Sequence, residues 1–170
     1  SSAPGDLSAV HSNMSGSGTD ADPWVITNDH ELQAITHDMS SDAHYVLGND
    51  INASQTNQWN NNKGFKPIGY NTTDFKGSLN GSNHSITGLV INRPLNSEPT
   101  GLVAFGSGAT IKNVKLSGKI IGNDYTGSFA GELYHNSKIN NVDFIGTVKA
   151  DKSSSTVSTG GLAGYASETN

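Results

Sequence analysis

Apolar residues alternate with polar ones in two stretches of the chain that share one order of residues. The first runs from Ile111 to Gly131 and ends in Thr-Gly-x-x-Ala-Gly; the second, with a longer polar insert, runs from Ile139 to Gly164. Alternation with a period of two is typical of half-buried β-strands. The equivalent apolar or glycine positions are Ile111, Val114, Leu116, Gly118 and Ile120 in the first copy, and Ile139, Val142, Phe144, Gly146 and Val148 in the second.

A third, upstream copy is indicated by a similar series of residues. It comprises Ile86, Leu89, Ile91, Arg93 and Leu95, followed by the segment from Thr100 to Phe105. Copies about 25 to 28 residues apart are typical of solenoids, in which each unit buries its apolar face against the next. We therefore predict an all-β fold, a parallel β-helix, with Ile86, Ile111 and Ile139 in a single inward file. Arg93 would occupy the position of Gly118 and Gly146, making this copy irregular and close to a cap.

Asn113 and Asn141 occupy equivalent places, each just before an apolar residue of its strand. Asparagine tolerates the left-handed backbone conformation that a sharp corner requires. Identical asparagines on successive turns can also form a hydrogen-bonded ladder. We interpret the pair as a structural ladder, and a row of ligand-binding amides is the alternative.

The repeated segments resemble a known family. The motif Gly161-Leu162-Ala163-Gly164, its variant Gly127 to Gly131 and the preceding alternating strand are similar to GLUG-type repeats, and the resemblance extends from about Gly16 to Gly164. Such repeats occur in right-handed β-helices of large bacterial surface proteins, including adhesins, two-partner-secreted exoproteins and non-catalytic parts of some IgA-specific peptidases. The resemblance implies a secreted or cell-surface location, a role in adhesion and virulence, and a secretion partner in the outer membrane.

The pattern divides the chain into three parts. Residues 1–20 are polar and rich in Gly and Ser, which predicts a flexible lead-in. Residues 21–60 are interpreted as an N-terminal cap, with an amphipathic helix from Asp29 to Met39 started by a capping box. Asn52 to Gly64 is interpreted as a long loop without secondary structure. Residues 61–170 are assigned to the β-helix repeats, and the chain is interpreted as a fragment of a longer protein.

Composition narrows the classes of function. The net charge of −5 and the small number of basic residues disfavour nucleic-acid binding. The absence of cysteine excludes disulfides and thiolate metal sites. No stretch of the sequence is apolar for the length of a membrane span, so membrane insertion is not expected.

The acidic residues provide little indication of catalysis. Asp124, Glu132, Asp143 and Asp151 are expected at different corners, whereas glycosidases need two carboxylates across the scissile bond. We therefore predict a protein without catalytic residues, and a polysaccharide lyase or hydrolase is the alternative. No metal site or other cofactor is expected, apart from calcium near Asp20, Asp22 and Asp50.

Aromatic residues in polar loops are the candidates for ligand contact, because such side chains commonly line carbohydrate and protein contacts. The candidates are Trp59, Tyr70, Tyr125 and Tyr134. Their ligand would be a host glycan or a protein. In the alternative interpretation each aromatic side chain only packs its own loop against the repeats.

Overall fold

The chain folds into two parallel β-sheets with short helices at the N-terminal end. The computed structural model describes residues 5–39, 42–70, 73–95, 97–150 and 161–167. Within these ranges the strands are β1 (Trp24–Ile26), β2 (His44–Leu47), β3 (Ile51–Asn52), β4 (Ser78–Asn92), β5 (Val103–Ser107), β6 (Thr110–Gly122), β7 (Ala130–Tyr134), β8 (Lys138–Ala150) and β9 (Ala163–Ala166). The strands dominate, so the predicted all-β class is confirmed.

The first sheet has the strand order β1-β2-β4-β6-β8, with β3 also paired to β4, and the second has the order β5-β7-β9. Every pairing within the two sheets is parallel. One hydrophobic core contains residues of both sheets and of the N-terminal helices. Because successive strands of each sheet come from successive segments of the chain, equivalent residues of neighbouring copies lie side by side.

The equivalence predicted between the two downstream copies is confirmed. Strand β6 pairs with β8 with Ile111 opposite Ile139 and Leu116 opposite Phe144. The other three predicted pairs also match: Val114 with Val142, Gly118 with Gly146, and Ile120 with Val148. In the closing motif, Ala130 pairs with Ala163.

The predicted alignment of the upstream copy is wrong. Ile86 lies opposite Leu116, and it is Leu79 that lies opposite Ile111, so Ile86, Ile111 and Ile139 do not form one file. Two register shifts in β4, between Asn80 and His84 and between Ile86 and Leu89, add residues to this copy. Such bulges change the spacing of equivalent residues without ending the strand. The alignment predicted from the sequence assumed a constant spacing and is therefore wrong for this copy.

The upstream counterpart of the repeated glycine is Leu89, and not Arg93 as predicted. A Cβ atom on Gly118 would lie 2.0 Å from the carbonyl oxygen of Leu89, and one on Gly146 would lie 2.0 Å from the carbonyl oxygen of Gly118. Contacts this short do not occur, so the close approach of the backbones requires glycine in both later strands.

Residues 5–20 are not the flexible lead-in that their composition predicts. Helix α1 (Leu7–Ser12) is capped by the Asp6 carboxylate, which accepts hydrogen bonds from the amides of Ser8 and Ala9. His11 and Met14 are buried, and His11 Nε2 lies 2.9 Å from the Tyr45 hydroxyl. A six-residue helix is marginal alone. Packing against Tyr45 of β2 and against helix α2 (Asp29–Ala34) orders it.

Helix α2 (Asp29–Ala34) continues into a 3-10 turn (Ile35–His37), slightly short of the predicted end at Met39. The Asn28 side chain accepts a hydrogen bond from the Glu31 amide, and the Glu31 carboxylate accepts one from the Thr27 amide. The apolar face of this segment is buried at Leu32, Ile35 and Met39.

Asn52 to Gly64 is ordered, contrary to the predicted loop. It contains the end of β3, a 3-10 turn (Ser54–Gln58) and a left-handed turn (Trp59–Asn62). The Thr56 hydroxyl is buried and accepts a hydrogen bond from the Val90 amide. The predicted boundary at residue 60 is also wrong, because β1 to β3 belong to the same sheet as β4.

Asparagines form a hydrogen-bonded file along the first sheet. Asn141 Nδ2 donates to Asn113 Oδ1 at 2.9 Å, and Asn113 Nδ2 donates to Asn80 Oδ1 at 3.3 Å. Asn113 and Asn141 both have left-handed backbones, with φ of 57° and 52°. The same residue type thus serves the backbone corner and the cross-strand bond.

The two roles of Asn113 are separable by substitution. Asn113→Gly keeps the left-handed backbone and loses the ladder bonds, whereas Asn113→Ala loses both. We expect Asn113→Gly to lower the free energy of unfolding by about 1 kcal/mol, and Asn113→Ala by roughly 1–2 kcal/mol more, in urea titrations. Equal losses in the two variants would show that the left-handed corner does not contribute.

Candidate functional site

The second sheet places an acidic side chain between two aromatic ones. Phe105 of β5, Glu132 of β7 and Tyr165 of β9 are direct neighbours across the three strands. Leu133, on the opposite face of β7, belongs to the hydrophobic core. Because Phe105 is half-buried and Tyr165 is partly exposed, the row containing Glu132 nevertheless borders the solvent.

Two more tyrosines extend this row into a continuous aromatic group. Tyr134, two residues after Glu132 on the same face, is stacked against Phe105 with ring centroids 6.4 Å apart. The Tyr165 ring lies 5.9 Å from Tyr134 and 5.5 Å from Tyr125. Phe105, Tyr125 and Tyr134 are half-buried, and Tyr165 is 43 % exposed. We call Phe105, Tyr125, Tyr134 and Tyr165 the tyrosine surface.

Glu132 lies within the tyrosine surface and is only 6 % exposed. Burial raises the pKa of its carboxyl group, and the negative charges of Asp124, Glu98 and Asp74 raise it further. A hydrogen bond with the Tyr134 side chain acts in the opposite direction on this pKa. The same surroundings raise the pKa of Tyr134 to about 12, so its hydroxyl stays protonated and can donate to the carboxylate.

The structure brings together two of the four predicted aromatic candidates. Tyr125 and Tyr134 both contact Tyr165. Trp59 is fully buried, with its ring against His30, so the prediction that it contacts a ligand is wrong. Tyr70 lies elsewhere, between Lys66 and Arg93.

Sequence reasoning missed Phe105, Glu132 and Tyr165 as parts of this surface. One signal was available: Glu132 and Tyr165 each follow directly on the last glycine of the closing motif. This signal does not identify Phe105, because the upstream motif lacks the last glycine. Strand pairing also places Val103, and not Ala104, opposite Ala130, so the register differs by one residue from the alignment of the motifs.

Among the acids expected at different corners, Glu132 and Asp124 interact electrostatically. Asp124 and Glu98 are near enough to affect the ionisation of Glu132. Asp143 is exposed on β8, on the other sheet, and Asp151 lies outside the described residues.

Asp20, Asp22 and Asp50 are not grouped as a metal site among the described residues, and calcium near any one of them stays a prediction. Asp22 belongs to a turn closed by its hydrogen bonds with Ser17 and Thr19. Asp50 accepts a hydrogen bond from the Ser85 amide, which lowers the pKa of Asp50, and it faces His84. Across the described parts of the chain, no group of three or more histidine and acidic side chains could hold a metal ion.

Flat aromatic rings beside a carboxyl group and phenolic hydroxyls suit the recognition of sugars. The rings can pack against the apolar faces of sugar rings, and the polar groups can bind sugar hydroxyls. Glu132 could also serve as a proton donor because its pKa is raised.

Comparison with known proteins identifies the family of the chain. Residues 27–146 match the family described as the M26 IgA1-specific metallo-endopeptidase N-terminal region. Because this match covers more than half of the sequence, the chain belongs to that family. The match concerns the N-terminal region of those peptidases.

Two relatives are similar over most of the chain. Halomucin from Haloquadratum walsbyi is 37 % identical over 155 residues, which cover 88 % of this chain and 2 % of halomucin. A putative Gly-rich membrane protein from Evansella cellulosilytica is 27 % identical over 121 residues, covering 71 % of this chain and 14 % of that protein. The chain therefore spans a small part of each relative. No solved structure matches it.

No helix within the described ranges has the length and apolar character needed to cross a bilayer.

The raised pKa of Glu132 predicts a pH-dependent effect of Glu132→Gln. A carboxyl group whose pKa is higher in the folded state than in the unfolded state stabilises the fold at low pH. This stabilisation is lost as the pH rises from the unfolded pKa, about 4.3, through the folded pKa. Glutamine does not titrate. The free energy of unfolding of the variant minus that of the wild type should therefore increase over this range in urea titrations between pH 3.5 and 8.

Asp143→Asn is the control, because it removes the same charge from an exposed position on β8. It should show a much smaller change with pH. A flat or falling difference for Glu132→Gln would contradict the raised pKa.

Proposed function

We propose that this chain forms consecutive coils of a right-handed parallel β-helix and serves as a rigid, non-catalytic segment of a large secreted or cell-surface protein. All pairings within the sheets are parallel and follow the order of the chain, which is the arrangement expected of stacked coils. The asparagine file supports the same architecture. Assignment of the coils to the GLUG type remains a prediction from the sequence.

The relatives support an extracellular location. One is named a halomucin and the other a membrane protein, and the chain corresponds to a small part of each. A stack of coils held by continuous backbone hydrogen bonds is stiff, which suits a segment that holds other domains away from the cell. The bacterial surface is the setting that the sequence resemblance implies.

Adhesion through the tyrosine surface is the activity that we propose for these coils. The observation that carries it is the register of Phe105, Glu132 and Tyr165, which places an acid between partly exposed aromatic rings. The ligand would be a glycan, or a protein with a matching surface. An extended face of this kind is where solenoid proteins commonly bind.

The test is saturable binding of the immobilised chain to a printed glycan array and to intact cells. We expect Tyr134→Ala and Tyr165→Ala each to weaken the strongest response at least tenfold, equivalent to about 1.4 kcal/mol, because each removes a ring of the surface. Tyr165→Phe should retain most of the binding if the ring matters more than its hydroxyl.

Ile145→Ala is the matched control: Ile145 is 77 % exposed, but it lies on the other sheet. Equal binding by Tyr134→Ala, Tyr165→Ala and wild type, or no saturable binding by the wild type, would reject adhesion through this surface.

Glycoside hydrolysis is the second candidate function. It is favoured by the raised pKa of Glu132, which could protonate a leaving group while Asp124 acted as the second carboxylate. Our proposal of a non-catalytic segment predicts no release of reducing or unsaturated sugars from polygalacturonate or neutral polysaccharides. Release that disappears in Glu132→Gln and in Asp124→Asn would establish the enzyme instead.

A further inference from the structure

A pocket of about 340 Å³ lies where β4 ends, next to the turn that follows it. It is lined by Lys63, Tyr70, Asn92, Arg93, Pro94, Leu95 and Ser97. Its volume is at the lower end of the range of small-molecule sites. It uses none of the residues of the tyrosine surface.

Arg93 is the single arginine of the chain, and one of its donors is unpaired within the described residues. Its Nη2 atom lies 3.4 Å from the Gly64 carbonyl oxygen, a long contact, and its guanidinium also bonds with the Tyr70 side chain. Its Nε–H group is buried and has no partner among the described residues. A guanidinium has five N–H donors, and a buried donor without a partner costs about 1–3 kcal/mol.

Positively charged side chains lie near Tyr70, although the net charge of the chain is −5. The Arg93 guanidinium carbon lies 5.4 Å from the centre of the Tyr70 ring, and Lys66 Nζ lies 5.6 Å from it. Lys63 lines the same pocket. Neither the His30–Asp29 pair nor the His84–Asp50 pair involves Arg93.

We propose that this pocket binds the carboxylate group of an acidic sugar. The planar guanidinium can bind the two oxygens of a carboxylate with two parallel hydrogen bonds. Lys63 adds charge, and the polar side chains of Asn92 and Ser97 are placed at the pocket wall to bind sugar hydroxyls. Because the Nε–H group is covered in the free protein, binding includes a rotation of the guanidinium that turns this group toward the sugar.

A sulfate ester on a sugar presents similar oxyanion chemistry. A guanidinium can pair with two oxygens of either group, but sulfate ester oxygens are much less basic than carboxylate oxygens and accept weaker hydrogen bonds. Comparison of a carboxylated, a sulfated and a neutral sugar therefore shows whether the pocket prefers a carboxylate or a sulfate ester. The inference does not depend on adhesion through the tyrosine surface.

The single arginine permits a direct test by nuclear magnetic resonance. In a ¹⁵N-labelled chain without added arginines, the Arg93 Nε–H group gives one side-chain signal. Titration with glucuronate should move this signal saturably and slow its exchange with water, because the Nε–H group becomes hydrogen bonded. Glucose, which lacks the carboxylate, should leave it unchanged, and glucose 6-sulfate should bind at least fivefold more weakly.

Arg93→Lys keeps the positive charge and removes the planar guanidinium, so we expect at least a tenfold loss of glucuronate affinity. The affinity of this variant is measured from the backbone amide signals of Asn92 and Ser97. If that variant does not fold, Lys63→Gln provides the second variant, with a smaller loss. Ile145→Ala should bind glucuronate like the wild type, because Ile145 is exposed on β8 and belongs neither to this pocket nor to the tyrosine surface. Absence of a shift with glucuronate, or equal shifts with glucose, would overturn the proposal.

Discussion

Parallel stacking of the backbone is the constraint on which the rest of this structure depends. Each strand must align with its predecessor at a strand spacing of about 4.8 Å. Only certain residues satisfy this at the corners and at the close contacts. Asn113 and Asn141 adopt the left-handed corner, and Gly118 and Gly146 allow backbones to approach where a Cβ atom would collide with a carbonyl oxygen.

The same constraint creates the proposed binding surface on the second sheet. Strands in register place the side chains of successive copies in rows, so residues far apart in sequence, such as Phe105, Glu132 and Tyr165, become direct neighbours. A carboxyl group in such a row is desolvated by the rings beside it, which accounts for the raised pKa of Glu132. The Arg93 pocket arises differently, from the end of a long strand and the turn after it.

The sequence predicted the downstream copies well because their alternating apolar positions and glycines repeat at a constant spacing. It failed for the upstream copy, in which bulges near Gly81 and Thr87 shift the register. Bulges depend on local backbone geometry and leave no periodic signal. It also failed in the lead-in, where α1 forms, and near the end of the cap, in the turns after Ser54. Both segments are short, and buried contacts, including those of His11 and Thr56, order them.

The sequence by itself determined the all-β class, the equivalence of the two downstream copies and the positions of their asparagine corners, because these features depend on local periodicity and backbone preference. Only the tertiary structure decided which aromatic residues meet, that Trp59 is buried, and that Glu132 and Arg93 lie in contrasting electrostatic surroundings. Burial and charge proximity depend on which segments stack together. Because the bulges differ in length and have no periodic sequence signal, the sequence alone does not predict this stacking.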